Sequence, residues 1–128
     1  MASEVQVQLL RGGADEWNLW RQKYPNEKVD LSSAELMNAW LPGVDLRDAD
    51  LSHSNFHGAN LSKSRLERAD LNNAFWSDVN LRQAFLDNAN LYRTYLFGAD
   101  LSDASLSRAK ATEANFQGAQ LIGTQIED

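Results

Sequence analysis

A five-residue repeat runs from Val29 to the last residue of this 128-residue chain, and its register never slips. Fifteen of the twenty central positions are leucine, and the other five are Phe56, Trp76, Ala111, Phe116 and Ile126. The residue two places before each centre is small, with alanine at thirteen of the twenty positions. A period of five matches neither the 3.6 residues of a helical turn nor the two residues of a strand. The chain must therefore turn a corner once per repeat.

A corner at every fifth residue predicts an all-β solenoid. The centre and the small residue of each repeat would point to one interior, and the other three positions would face water. Leucine fills most of that interior, and the small residues fit where the walls crowd together, so the two columns meet the demands of close packing.

Several repeats match the consensus A(D/N)LXX of the pentapeptide-repeat family literally: Ala49–Leu51, Ala59–Leu61, Ala69–Leu71, Ala89–Leu91 and Ala99–Leu101. The chain thus resembles this family, in particular short cyanobacterial and bacterial members with an N-terminal helical cap. The resemblance implies a right-handed quadrilateral β-helix with four repeats per coil, and hence about five coils over residues 27–128. At about 4.8 Å per stacked strand, the tower would be roughly 24 Å tall.

Aspartate or asparagine precedes many of the centres. Such short polar side chains accept hydrogen bonds from nearby backbone N–H groups in turns. Asp30, Asp50 and Asp70 are spaced so that they would stack on one wall, where a calcium ladder is the alternative interpretation. Asn90 and Lys110 continue the same column and dilute its charge. We therefore expect these side chains to stabilise turns.

Residues 1–26 precede the repeats and predict a helical cap. A first short helix would stop at Gly12-Gly13, and a second would run from Ala14 to Lys23. The second helix presents aromatic residues at helical spacing, namely Trp17, Trp20 and Tyr24. We expect these three to pack over the first coil, although a ligand-binding aromatic box is the alternative.

The last repeats continue in register to Asp128, and no second cap is predicted there. Exposed strand edges and core leucines favour pairing, so we expect this coil to be masked by a homodimer or by a partner. The alternative is that Glu127 and Asp128 keep the edge soluble and the protein monomeric. Ala111 places a methyl group where leucine is expected, which predicts that the last coil is the loosest.

The net charge of −6 lies in the repeats, because residues 27–128 hold fifteen acidic and nine basic side chains. An acidic surface repels phosphate, so direct nucleic-acid binding is disfavoured. No apolar stretch is long enough for a membrane helix, and the N-terminus does not resemble a signal peptide. We therefore expect a cytoplasmic protein that does not bind membranes.

Candidate chemistry is sparse. His53 and His57 are the only histidines, and a spacing of four suits a metal pair only on a helix, which the repeat excludes here. The chain has no cysteine, Gly-rich phosphate loop or nucleophile elbow, and no pair of carboxylates suited to acid–base work. We expect no enzyme activity, no cofactor and no metal.

Aromatic residues at outward positions form the main departure from the pattern. Phe75 and Tyr95 are twenty residues apart and would stack on one wall, with Phe97 on that wall and Tyr92 near its adjoining corner. Exposed aromatic clusters mark interaction surfaces. The alternative is a local repair, in which Phe75 folds over a distortion caused by the oversized Trp76.

These features favour a non-catalytic protein–protein interaction or scaffold module with an unidentified protein partner. The alternative comes from the family resemblance: some longer members resemble DNA in size and charge and bind a nucleic-acid enzyme, DNA gyrase. Five coils offer a less extended acidic surface than those members have, so the interaction module is the leading prediction.

Overall fold

The computed structural model describes residues 2–126. Two helices come first, α1 (Glu4–Arg11) and α2 (Ala14–Lys23). The repeats then form a right-handed quadrilateral β-helix, as the sequence predicts. Each wall contributes one bridging residue per coil, and residues twenty apart pair in parallel. The four columns of bridges run from Asp30 to Lys110 on wall 1, Glu35 to Asn115 on wall 2, Trp40 to Gln120 on wall 3 and Asp45 to Gln125 on wall 4.

A backbone hydrogen-bond ladder joins each coil to the next. The N–H of Leu31 donates to the carbonyl of Asp50 at 2.8 Å, and the N–H of Asp50 donates to the carbonyl of Val29 at 2.9 Å. The same two bonds recur on every wall as far as Gln125. Because buried backbone groups must be paired, this ladder fixes every coil in register with its neighbours.

A tight turn makes each corner. At the first corner the N–H of Ala34 donates to the carbonyl of Leu31 at 3.1 Å, and Ser33 has a positive φ of 60°. A positive φ at the second central residue is the signature of a type II turn. Just before this turn, Asp30 Oδ1 accepts the N–H of Ser32 at 3.1 Å, and equivalent bonds recur along the chain. The predicted turn-stabilising role of aspartate and asparagine is confirmed.

The interior is filled by the centre residues. Every centre from Leu31 to Leu106 is at most 6% exposed. The oversized Trp76 lies against Phe56, with ring centroids 4.7 Å apart, and its indole N–H donates to Ser54 Oγ at 3.0 Å. Ser54 occupies a position where the repeat usually has alanine. The hydroxyl therefore supplies the one polar partner that a buried indole needs.

Ser54→Ala should destabilise the protein by about 1–3 kcal/mol, because the buried indole N–H of Trp76 would lose its acceptor. Ser64→Ala is the matched control, since Ser64 has the same repeat position and the same 0% exposure, but its hydroxyl has no hydrogen-bond partner. That change should be neutral or stabilising. Urea unfolding of both variants measures the difference, and equal losses would show that the Trp76–Ser54 bond contributes nothing.

The helices close the first coil with apolar side chains. Val7 and Leu10 of α1 and Trp17 of α2 are at most 5% exposed and belong to the core. The prediction that Trp17, Trp20 and Tyr24 all pack over the first coil is wrong for Tyr24. Tyr24 is 44% exposed and contacts Trp20, with ring centroids 6.2 Å apart. Tyr24 follows the end of α2, so it lies at the rim of the cap and not over the core.

The cap also replaces the ladder that a preceding coil would provide. The side-chain oxygen of Gln6 accepts the N–H of Asp30 at 2.7 Å, and that of Asn18 accepts the N–H of Asp45 at 2.8 Å. The indole N–H of Trp17 donates to the carbonyl of Asp45 at 2.7 Å. Side-chain amides and an indole thus satisfy backbone groups at the upper edge of the first coil. This arrangement protects an edge that would otherwise be free to pair.

Asn18→Ala should cost about 1–2 kcal/mol of unfolding free energy, because Asn18 also donates to the carbonyl of Gly43 at 3.0 Å and both backbone groups would lose their partner. Gln22→Ala on the same helix is the control, since Gln22 is exposed. Thermal and urea unfolding compare the two. A loss no larger than that of the Gln22 variant would mean that water replaces the amide fully.

The terminal coil exposes its apolar residues. Leu121 is 42% exposed and Ile126 69%, whereas the centres of the coils above are buried. Ala111 is itself exposed, which agrees with the prediction that its methyl group fills less of the interior than the leucine expected there. Glu127 and Asp128, the predicted solubilising charges, lie outside the described residues. Masking of this coil by a second copy or by a partner remains a prediction.

Candidate functional site: an exposed aromatic wall

Three aromatic side chains form a contiguous stack on wall 2. The rings of Phe75 and Tyr95 are stacked with centroids 5.2 Å apart, and Tyr95 and Phe97 lie 6.2 Å apart. Each of the three residues is 40–42% exposed. The ladder places Phe75 and Tyr95 on successive coils of one column, so the stack follows directly from their twenty-residue spacing.

Phe75 and Tyr95 occupy the repeat position at which aspartate or asparagine stabilises the turn in other repeats. On the same wall, Asn55 accepts the N–H of His57 and Asn115 accepts the N–H of Gln117, each at 2.9 Å. Phenylalanine and tyrosine offer no acceptor that can form this short-range bond. Such a hydrogen bond stabilises by about 1 kcal/mol, and the repeats of Phe75 and Tyr95 lack it.

Trp76 does not disturb the backbone beneath the stack. The N–H of Phe56 donates to the carbonyl of Phe75 at 3.0 Å, and the N–H of Trp76 donates to the carbonyl of Tyr95 at 2.8 Å. These distances match the ladder on the other walls. Trp76 is fully buried and its polar atom is satisfied inside by Ser54. The interior therefore accommodates the indole ring of Trp76 without distorting the backbone. The alternative that Phe75 covers such a distortion has no support in the ladder.

Tyr92 belongs to a separate arrangement at the corner between walls 1 and 2. Its ring lies under the guanidinium of Arg93, which is 5.1 Å from the ring centroid. Arg93 also donates to Glu113 at 2.6 Å, and this hydrogen bond lowers the pKa of the Glu113 carboxyl. Within residues 2–126, no ring pair joins Tyr92 to the wall 2 stack. The four predicted surface residues thus divide into a stack of three and a neighbouring Tyr–Arg pair.

His57 extends the stack, which the sequence analysis missed. Its ring is stacked on that of Phe75 with centroids 6.1 Å apart, and Nδ1 lies 2.6 Å from Ser77 Oγ. His53 is exposed at the preceding corner. Across the described residues, no group of three metal-ligating side chains comes together. The sequence signal for His57 was its position on wall 2, one coil before Ser77 and two coils before Phe97, and not its distance from His53.

Five carboxylates on the other walls are paired with arginine, namely Asp45, Asp48, Glu67, Asp100 and Glu113. Arg68 binds Asp48 from the next coil with two hydrogen bonds of 2.8 and 3.1 Å, which lowers the pKa of Asp48. Burial opposes ionisation of Asp45, but hydrogen bonds from the side chain and N–H of Arg47, together with the nearby Arg21 cation, outweigh it and lower the pKa. Arginine therefore neutralises part of the acidic surface.

A groove of about 570 Å³ lies where the cap meets the first coils. Its charged lining residues are Arg21, Lys28, Arg47, Glu27, Asp30, Asp48 and Asp50. Arg21 and Arg47 both lie within 4.0 Å of Asp45, so they are engaged within the protein. Arg21, Arg47 and Asp48 of this groove thus form ion pairs within the protein.

The comparisons with known proteins agree with this architecture. A family model described as pentapeptide repeats matches residues 30–68, 59–96 and 89–126. The chain belongs to the pentapeptide-repeat family. No curated protein sequence matches it. Among the described residues, neither helix has the length and apolar character needed to cross a membrane.

Solved structures of other pentapeptide-repeat proteins are similar. Alr5209 from Nostoc PCC 7120 is 33% identical, with a TM-score of 0.69 over 86% of this chain and 94% of that one. Rfr23 from Cyanothece 51142 is 32% identical, with a TM-score of 0.57 over 73% of this chain and 60% of that one. A protein from the Arabidopsis thaliana thylakoid lumen is 30% identical, with a TM-score of 0.58 over 70% and 59%. This pentapeptide-repeat chain spans about 60% of the length of the last two.

Acidification should destabilise the protein through the paired carboxylates. The folded state lowers the pKa of Asp45, so its contribution is present above the unfolded value of about 3.9 and is lost as the pH falls through the folded value. We expect the unfolding temperature to drop between about pH 5 and about pH 2. Asp45→Asn should be less stable at neutral pH and lose less over that range. Parallel pH dependence in both proteins would contradict this origin.

Proposed function

We propose that the protein is a non-catalytic interaction module and that the stack of Phe75, Tyr95 and Phe97 is its protein-binding surface. The observation that carries the proposal is the substitution of exposed rings for turn-stabilising side chains at two successive coils of wall 2. Stacked rings at 40–42% exposure suit the buried centre of an interface, where aromatic residues contribute most binding energy.

The regular ladder beneath the stack supports this interpretation over a local repair. Trp76 is buried, hydrogen-bonded to Ser54 and flanked by ladder bonds of ordinary length. The β-helix also presents these rings on a rigid wall, which limits the entropy that binding would lose. A rigid, pre-organised surface is typical of a scaffold.

The alternative of a DNA mimic has less support. Acidic side chains on the outer surface are interleaved with arginine, as in the Asp48–Arg68 and Glu113–Arg93 pairs. Each such pair removes a carboxylate from the set that could mimic phosphate, and five carboxylates of the repeats are paired with arginine in this way. QnrB1, described as a plasmid-mediated fluoroquinolone resistance protein, is 17% identical with a TM-score of 0.59, a likeness that extends to the fold alone.

The triple variant Phe75→Ser, Tyr95→Ser, Phe97→Ser should lose bound partners in affinity capture from a lysate of the source organism. Quantitative mass spectrometry with stable-isotope labels measures the captured proteins. Removing three exposed rings takes away the apolar anchors of the proposed interface. Phe85→Ser is the matched control: Phe85 has the same repeat position as Phe75 and similar exposure, 45% against 42%, but lies on the opposite wall.

Proteins retained by the native chain and by the Phe85 variant, but lost with the triple variant, would support the proposal. Circular dichroism and thermal unfolding must show that the triple variant is folded. Identical partner sets for a folded triple variant would contradict the proposal. Inhibition or protection of purified DNA gyrase in a supercoiling assay would favour the DNA-mimic alternative instead.

A further inference from the structure

Wall 2 differs from the other three walls in its charge. It comprises residues 34–38, 54–58, 74–78, 94–98 and 114–118. These five segments contain two carboxylates and neither lysine nor arginine. Each of the other walls carries at least two basic side chains, such as Arg93 and Lys110 on wall 1 and Lys63 and Arg82 on wall 3. The aromatic wall therefore lacks the cations that neutralise carboxylates elsewhere.

The two carboxylates of wall 2 are not equivalent. Glu35 lies beside the cap, where Arg11 donates to its backbone carbonyl at 3.1 Å. Asp78 is 58% exposed at the side chain, and its one ion-pair neighbour in the described part of the chain is His57, with Nδ1 at 4.0 Å. Asp78 thus offers an accessible carboxylate with no lysine or arginine paired to it.

Asp78 adjoins the ring stack through the backbone of Phe97 and through the ring of His57. Its N–H donates to the carbonyl of Phe97 at 2.8 Å, and its carboxylate lies against Gly98, where an added Cβ would collide with Oδ1. On the other side it approaches His57, whose ring stacks on Phe75. The carboxylate and the exposed rings therefore form one continuous surface.

We propose that wall 2 binds an arginine side chain of a partner protein, with the guanidinium stacked on the exposed rings and paired with Asp78. This inference rests on the proposed function and adds the chemistry of the partner. A guanidinium is planar, stacks on aromatic faces and forms directed hydrogen bonds to carboxylates. Arg93 over the ring of Tyr92, paired with Glu113, shows the same combination within this chain.

The competing occupant is a purely apolar segment, which the rings alone could accommodate. An apolar partner would bury Asp78 without a counter-charge, and burying an unpaired carboxylate is unfavourable. A lysine would pair with Asp78, but its compact ammonium stacks less well than a planar guanidinium. Arginine is the side chain that uses both features of the wall.

Nuclear magnetic resonance titration tests the inference with defined probes. The native ¹⁵N-labelled protein is titrated with the peptide Gly-Ser-Arg-Gly-Ser-Arg-Gly and with the same peptide carrying citrulline, the uncharged analogue, in place of arginine. About 150 mM salt suppresses attraction to the overall negative charge. The arginine peptide should shift the amide signals of Phe75, Asp78, Tyr95 and Phe97, and the citrulline peptide should bind at least about 3-fold more weakly.

Asp78→Asn and Asp103→Asn form a matched pair of variants. Both aspartates have the same repeat position and a positive φ, 56° and 60°, and the carboxylate of each lies against a glycine twenty residues later. Asparagine is native at this position in Asn73 and Asn88, so both variants should fold. Asp78→Asn should weaken arginine-peptide binding about 3- to 5-fold, whereas Asp103→Asn, on wall 3, should leave it unchanged.

Equal binding of the arginine and citrulline peptides would overturn the inference, and so would equal effects of the two aspartate variants. Shifts spread over all four walls would also overturn it, as they indicate non-specific attraction. The proposed function is tested separately by the triple variant of Phe75, Tyr95 and Phe97. If that variant loses native partners but the arginine peptide does not bind wall 2, the wall binds proteins through another chemistry. If both fail, the wall is not an interface.

Discussion

The backbone ladder between coils is the interaction on which everything else depends. Each repeat contributes a single bridging residue, so no wall has a strand that could hold its register alone. The register is maintained because every coil repeats the same two hydrogen bonds to its neighbour, as Leu31 and Asp50 do. Interior packing supports the ladder, since a centre residue and a small residue at every repeat let the walls approach closely. The fold is therefore a sum of nearly identical nearest-neighbour interfaces.

A fixed register converts sequence spacing into surface geometry. Residues twenty apart lie on top of one another in successive coils. The spacing alone therefore brings the outward rings of Phe75 and Tyr95 together as a stacked pair. The same rule aligns Arg68 with Asp48 and Arg93 with Glu113. Walls can thus differ in chemistry while the core beneath them stays the same. Wall 2, with its rings and without lysine or arginine, is the clearest case.

Much of the architecture was predictable because the repeat is strictly periodic. The corners, the buried centres, the turn-stabilising role of Asp30 and its counterparts, and the two cap helices all follow from local patterns. The family match over residues 30–126 supports the same reading of the repeats. The stack of Phe75, Tyr95 and Phe97 was predictable for the same reason. Tyr92 was harder to place, because a corner residue can turn toward either wall, and here it pairs with Arg93.

The coil, its register and the set of residues that share a wall can be read from the amino-acid sequence, because each of these depends on spacing alone. The folded protein is needed to see which particular side chains bind one another across that spacing. Ser54 accepts the indole N–H of Trp76, and the side chains of Gln6 and Asn18 accept backbone N–H groups of the first coil. Asp78 lies between His57 and Phe97. These contacts depend on side-chain direction and on distances between coils or between cap and coil, which a five-residue period does not encode.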